Sequence, residues 1–184
     1  MIWFTSDWHL FHENILKSCK RPFKNVQEMG EKLLRNYNEL VGDDDTVYFL
    51  GDLTMRGPTQ VEPVRRSALQ MKGRKHYVMG NHDRLKVWSY LKMGFASVHT
   101  GIVHSRFVSD GAVVDICCQH DPADKIPFPD CGFMLCGHVH NLWQARKGTV
   151  NVGVDVWDFK PVRYEMLLET LPVGADGQAE KLIY

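Results

Sequence analysis

The sequence predicts a mixed α/β fold of one domain, with two packed mixed β-sheets flanked by helices. Three observations predict it. The front half alternates short apolar runs with amphipathic segments, the pattern of parallel strands joined by crossover helices. From Phe95 onward the chain is instead rich in strand-like runs and turn signals. At 184 residues it has the length of a single domain, 1–184, with a substantial core.

Residues 1–5 read as a first strand buried on both faces. Asp7 to Lys20 is expected to pass from a loop into a short helix with Ile15, Leu16 and Cys19 on one face, broken by Arg21-Pro22-Phe23. Asn25 and Glu28 have the spacing of a capping box. The helix they open carries Val26, Met29, Leu33, Tyr37 and Leu40 as an apolar stripe and ends near Val41-Gly42. Asp43-Asp44-Asp45 reads as a solvated turn, because the spaced oxygen ligands of a calcium loop are missing. Val47 to Leu50 is the second strand, a helix over about Pro58 to Met71 follows, and His76 to Met79 is the third strand. Leu85, Trp88 and Leu91 give the next helix one apolar face, and Gly94 stops it.

Between Phe95 and Cys118 two or three strands are expected, with a turn at Ser109-Asp110-Gly111. Pro122, Pro127 and Pro129 mark an irregular loop. Phe133 to Cys136, Thr149 to Val154 and Tyr164 to Thr170 complete the strands, and residues from about 171 to 184 read as a mobile tail.

Composition narrows the function classes. A formal net charge of zero gives no long-range field to hold duplex nucleic acid. No basic, aromatic-studded strand surface argues for single strands. The N-terminus lacks a basic region and a small-residue cleavage site, and no apolar run approaches a membrane span. Five cysteines, an odd count, read as reduced thiols in a cytoplasmic protein. Cys131 and Cys136 lack finger-type spacing.

Chemistry gathers where the apolar runs end. Asp7-Trp8-His9, Gly51-Asp52, Gly80-Asn81-His82-Asp83, His120-Asp121 and Gly137-His138-Val139-His140 each begin within about two residues of a strand-like run. Asp7 with His9, and His138 with His140, are i, i+2 pairs that an extended backbone points to one side. Asp52 is a lone carboxylate suited to bridging two ions. Asn81 adds an amide oxygen and His120 an imidazole. Three oxygen donors and four histidines are too many for one tetrahedral ion and suit two. Mixed nitrogen and oxygen donors without thiolate favour manganese, with iron, zinc or nickel as alternatives, over copper or an iron–sulfur cluster. Two such ions about 3.5–4 Å apart polarise phosphoryl oxygens and hold a bridging water whose pKa falls toward 7. His82, beside Asn81 but surplus to the ligand count, is the candidate general acid for the leaving alkoxide, with Asp83 to orient it.

These five ordered motifs resemble those of the calcineurin-like metallophosphoesterases, over Asp7 to His140. Ser6 to Ile15 and Asn151 to Trp157 are similar to the compact, single-domain bacterial and phage members. The resemblance implies a four-layer αββα sandwich. It implies Asp7, His9 and His140 on one metal, Asn81, His120 and His138 on the other, and Asp52 bridging. It implies hydrolysis of phosphate diesters, with monoesters as a further substrate class, by in-line attack of the bridging hydroxide on a small phosphoester. Trp8 stands where a smaller residue is common, which predicts a bulkier rim. Gln119-His120-Asp121-Pro122 departs from the more usual Ser- or Cys-His-Tyr-Pro. Gly51-Asp52 followed by Arg56-Gly57 shares the spacing of the protein-phosphatase branch, where that arginine contacts phosphate.

Asn81, His12 and Arg56 are therefore the candidate substrate contacts, with a helix-capping role the alternative for His12 and a surface ion pair the alternative for Arg56 and Arg21. A nucleotide or phosphoprotein monoesterase using Arg56, or a non-catalytic metal-dependent scaffold, are the rival functions. His76, His99 and His104 read as structural, Trp3, Trp88 and Trp143 as core aromatics, and Asp155 and Trp157 as packing or outer support.

Overall fold

A computed structural model describes residues 1–57, 61–109, 112–122, 133–146 and 148–170. The turn at Asp110-Gly111, the loop with Pro127 and Pro129, Cys131, the start of the Pro58 helix and the tail from 171 lie outside these residues. The front half alternates as its periodicity predicts. β1 (Ile2–Thr5) leads through α1 (Asn14–Ser18) and α2 (Val26–Leu40) to β2 (Thr46–Phe49). Then come α3 (Glu62–Leu69), β3 (Arg74–Val78), α4 (Val87–Lys92) and β4 (Phe95–His99). The four strands pair in parallel, with Phe4 opposite Tyr48 and Tyr48 opposite His76.

The back half builds a second sheet. It contains β5 (Val103–Ser109), β6 (Ala112–Cys118), β7 (Phe133–Cys136), β8 (Ala145–Arg146) and β9 (Thr149–Asn151) in the order β5-β6-β7-β9-β8. β6, β7 and β9 run parallel, and the two edge strands run antiparallel to their neighbours. A short strand β10 (Val162–Arg163) returns to the first sheet, antiparallel to β1, so both sheets are mixed. The last element, α5 (Tyr164–Thr170), is a helix where a strand was expected. Its buried Tyr164 and Leu167 lie three apart with exposed Glu165 and Met166 between them, which is helical rather than alternating burial.

Two cores hold these layers. Trp3, Leu33, Tyr37, Val47, Phe49, Tyr77 and Phe95 fill the space between the first sheet and α1–α4. Phe4, Leu50, Val78, Ile116, Leu135, Val150 and Val162 fill the space between the two sheets, with Tyr164 and Leu167 of α5. Two mixed sheets face to face with flanking helices are the αββα arrangement that the resemblance implied. No helix among the described residues is long and apolar enough to cross a membrane.

α2 is capped as its sequence predicts, Asn25 Oδ1 accepting from the Glu28 N–H at 2.9 Å. Its reciprocal bond goes one residue further out, from the Lys24 N–H to Glu28 Oε2 at 2.7 Å. Four expectations fail. Trp88 and Leu91 are 55% and 46% exposed, and Tyr90 and Met93 face the core instead, because α4 starts later than Leu85 and turns the other stripe inward. Trp143 is half-buried. Asp45 is not solvated; it is buried, and accepts from Trp3 Nε1 at 2.9 Å, the Gly42 N–H at 2.9 Å and the N-terminal ammonium. Cys117 is disulfide-bonded, whereas Cys19, Cys118 and Cys136 are free thiols, so the expectation of five reduced cysteines does not hold at Cys117. The alternation of β6 turns Cys117 away from the inter-sheet core that Ile116 and Cys118 enter.

Candidate metal centre

Six parallel strand tips converge on one place. β1 is followed by Asp7 and His9, β2 by Asp52, β3 by Asn81 to Asp83, β6 by His120, β7 by His138 and His140, and β9 by Asp155. The loops after β1 and β2 run side by side, the Asp7, His9 and Leu10 N–H groups donating to the carbonyls of Gly51, Asp52 and Leu53.

The i, i+2 pairs do not use the extended backbone expected of them. Asp7, His9, Asp52, His138 and His140 all lie in the left-handed region, with φ of 60°, 50°, 56°, 69° and 47°. Such a conformation costs on the order of 1–3 kcal/mol per non-glycine residue and persists only where the surroundings enforce it. Its effect at Asp7 and His9 is to turn Trp8 away from the site. Trp8 is buried against Tyr37 and Phe49 in the helix-side core, so it does not enlarge the rim.

The seven candidate ligands form an unbroken chain of polar atoms. His140 Nε2 lies 3.9 Å from Asp7 Oδ1, and Asp7 Oδ1 lies 3.8 Å from His9 Nε2. Asp52 Oδ2 stands between His9 Nε2 at 3.5 Å and His120 Nε2 at 3.3 Å. Asn81 Oδ1 is then 2.9 Å from His120 Nε2 and 3.0 Å from His138 Nδ1. Asp7, His9 and His140, and separately Asp7, Asp52 and His120, offer donor atoms close enough to share an ion.

Buried Asp7 Oδ1 and both ring nitrogens of His9 have no hydrogen-bond partner. An orphaned carboxylate oxygen facing an orphaned imidazole nitrogen is costly unless a cation lies between them. The remaining atoms are occupied. Asp7 Oδ2 accepts from Ser6 Oγ at 2.6 Å and from the His138 N–H at 3.0 Å. His120 Nδ1 bonds the Leu50 carbonyl at 2.7 Å, which turns Nε2 to the site. His140 Nδ1 bonds Asp155 Oδ2 at 2.9 Å, with the same result. The donor set therefore fits the binding of metal ions. Burial opposes charge on Asp7, yet the neighbouring imidazoles and Ser6 outweigh it and hold the carboxyl well below the usual range. Burial likewise opposes charge on His120 and His140, but their carboxylate partners raise them to about 9 and about 10.

Residues 1–142 match the calcineurin-like phosphoesterase family. The chain belongs to that family. It is 29% identical over 177 residues to an uncharacterised protein of Methanocaldococcus jannaschii, covering 94% of this chain and 92% of that one. It is 26% identical to the gene 66 protein of Mycobacterium phage L5, covering 84% and 86%. A solved structure of a protein of unknown function from Aquifex aeolicus superposes with a TM-score of 0.69 at 28% identity, covering 93% of this chain and 99% of that one.

Other residues of this calcineurin-like phosphoesterase stand where the sequence reading did not put them. Asp83 does not orient His82. Its Oδ2 accepts from the N–H groups of Gly80 (2.7 Å) and Asp52 (2.9 Å) and from Tyr77 (2.7 Å), and its Oδ1 from Tyr90 (2.9 Å). Burial pushes this carboxyl up to about 6 in spite of those bonds. Asp83 thus fixes the backbone of Asp52 and Gly80. His82 is held by its own N–H on Asp52 Oδ1 at 3.0 Å, its ring 5.7 Å from that of His9 and its Nδ1 buried without a partner.

His12 also lies near His9, with ring centroids 5.7 Å apart and the planes tilted by 48°, and its Nδ1 is unpartnered. Arg56 lines the same cleft as His12 and donates to the Phe11 carbonyl at 2.9 Å. Arg21 is no surface residue: it is 4% exposed, pairs with Asp155 through Nε at 2.7 Å and its terminal nitrogen at 2.8 Å, and donates to the carbonyls of Asp7 and Trp8. Sequence reasoning missed this brace because Arg21 and Asp155 stand 134 positions apart. The only local hint was Asp155 standing just after β9, beyond the last candidate ligand.

Proposed function

We propose that this chain is a two-metal phosphoesterase acting on phosphate diesters and, less readily, on monoesters. One observation carries the reading: seven donors from five loops meet in a continuous chain around orphaned Asp7 Oδ1 and His9 Nε2. Asp7, His9 and His140 would hold one cation, Asn81, His120 and His138 the other, and Asp52 both. When bound, such a pair supplies Lewis acidity toward phosphoryl oxygens and acidifies water enough to attack at neutral pH.

The chain's own residues do the rest. Asp83, Ser6, Leu50 and Asp155 fix the donors before substrate arrives, so little reorganisation remains at the moment of reaction. The His82 imidazole gives a proton to the leaving ester oxygen as the P–O bond breaks, and recovers one from solvent. Its geometry supports this role, with the ring beside His9 and the backbone tied to Asp52. Manganese is the cation of choice on donor chemistry, with iron, zinc or nickel as alternatives. The monoesterase alternative depends on Arg56, whose guanidinium already serves the Phe11 carbonyl.

The deciding experiment assays matched aryl diesters and monoesters with manganese, nickel, zinc and magnesium. Faster turnover of the diesters is expected. A preference for monoesters would transfer the reading to the Arg56 alternative, and no turnover with any ion would favour a scaffold.

A further inference from the structure

Two clefts of similar size flank the centre, and their walls differ in chemistry. One, of about 480 Å³, lies beside His12 and is lined by Glu13, Asn14 and Arg56 among others. The second, of about 460 Å³, reaches Asn81 and His120 themselves and is lined mainly by Val78, Met79, Ile102 and Pro122, with Gln119 and Asp121 also on its wall. Both volumes suit a small organic group. Met79 is held in place by its N–H on the His99 carbonyl at 2.8 Å. Ile102 lies on the link between β4 and β5, where the two sheets meet. Beside it, nothing among the described residues stands within 4 Å of where a side chain on Gly101 would begin.

A phosphate group needs donors on every side, and an apolar wall offers it none. A diester differs from a monoester in carrying a second, non-ionised ester arm, and that arm is what such a wall can cover. We infer that the Val78–Met79–Ile102–Pro122 cleft is a subsite for one flat, apolar ester arm of aryl size, with Ile102 and Met79 setting specificity. The inference rests on the phosphoesterase reading and deepens it, since an arm seated there leaves its phosphorus beside Asn81 and His120.

The test compares binding of diphenyl phosphate and dimethyl phosphate to the metal-loaded protein by calorimetry, alongside KM for bis(4-nitrophenyl) phosphate. The wild type is expected to favour the diphenyl compound by at least roughly tenfold, from the apolar area covered. Ile102→Ser should remove most of that preference and raise KM on the order of tenfold, with kcat little changed. Ile102→Trp, which fills the cleft, should block diphenyl phosphate and spare dimethyl phosphate. Thermal melts matching the wild type show that each variant folds. Equal affinity of the wild type for both compounds, or a ratio untouched by both substitutions, overturns the subsite. Ile102-dependent binding without turnover of any ester sinks the enzymatic reading alone, whereas turnover with no dependence on Ile102 sinks the subsite alone.

Discussion

His82 and His140 show how one residue type takes different work from its neighbours. His140 has Nδ1 on Asp155 and Nε2 directed at Asp7, the stance of a ligand whose tautomer is set from behind. His82 has no such partner for its ring. Replacing His82 by Ala should slow diester cleavage by about 10²–10⁴-fold. The loss should be greatest for poor leaving groups, and a Brønsted series over substituted phenols checks it; equal slowing across the series would remove His82 from the acid's role. Asp155→Asn should weaken metal binding at the Asp7–His9–His140 end by about 10–100-fold, as removal of a ligand's outer support does. Metal titration followed by calorimetry reads this directly, and unchanged affinity would make the Arg21–Asp155–His140 line mere packing. The candidate ligands themselves were legible because each sits at a strand tip in a short motif. Their braces were not. Asp83 looked like a partner for its chain neighbour His82, and only the fold reveals that its carboxylate faces Tyr77, Tyr90 and two backbone N–H groups.

At the scale of elements, the loops after the strands depend on close backbone approach. A methyl group on Gly80 would strike the Asp52 carboxylate, the group placed between the two ligand sets. Gly80→Ala should therefore lower metal content and activity together while leaving far-ultraviolet circular dichroism intact. A fully loaded, active variant would show that Asp52 has room to move. The turn before β2 makes a separate prediction. Burial works against charge on Asp45, but the N-terminal ammonium, the Gly42 N–H and Trp3 outweigh it and lower its pKa. A carboxyl with a lowered folded pKa stabilises above the unfolded value, near 4, and that stabilisation is lost as pH falls through the folded value. Asp45→Asn should thus cost about 1–3 kcal/mol at pH 7. Its deficit against the wild type should shrink in urea titrations near pH 3, and an equal deficit at both pH values would refute the assignment. The alternation of strands and helices up to β4 was readable because each period is long enough to declare itself. α4 and α5 were not, being six and seven residues long, too short for a stripe of apolar residues to distinguish one face, or one period, from another.

For the whole molecule, the candidate ligands divide between the layers. The first sheet brings Asp7, His9, Asp52 and Asn81, and the second brings His120, His138 and His140. Cations held by both should tie the sheets together. Removing them with a chelator should lower the melting temperature by about 10–20 °C if each of the two ions is present at roughly a hundredfold over its Kd. Scanning calorimetry with and without chelator measures it, and an unchanged melting temperature would mean that the donors bind nothing the fold depends on. Two facing mixed sheets could be anticipated from the change of pattern at Phe95. The short edge strands β8 and β10 could not, since two residues leave no periodicity to read.

That division also bears on maturation. On the two-metal reading, the earlier half of the polypeptide emerges with four of the candidate donors and none of the three later imidazoles, so loading of both ions has to wait for the second half to dock.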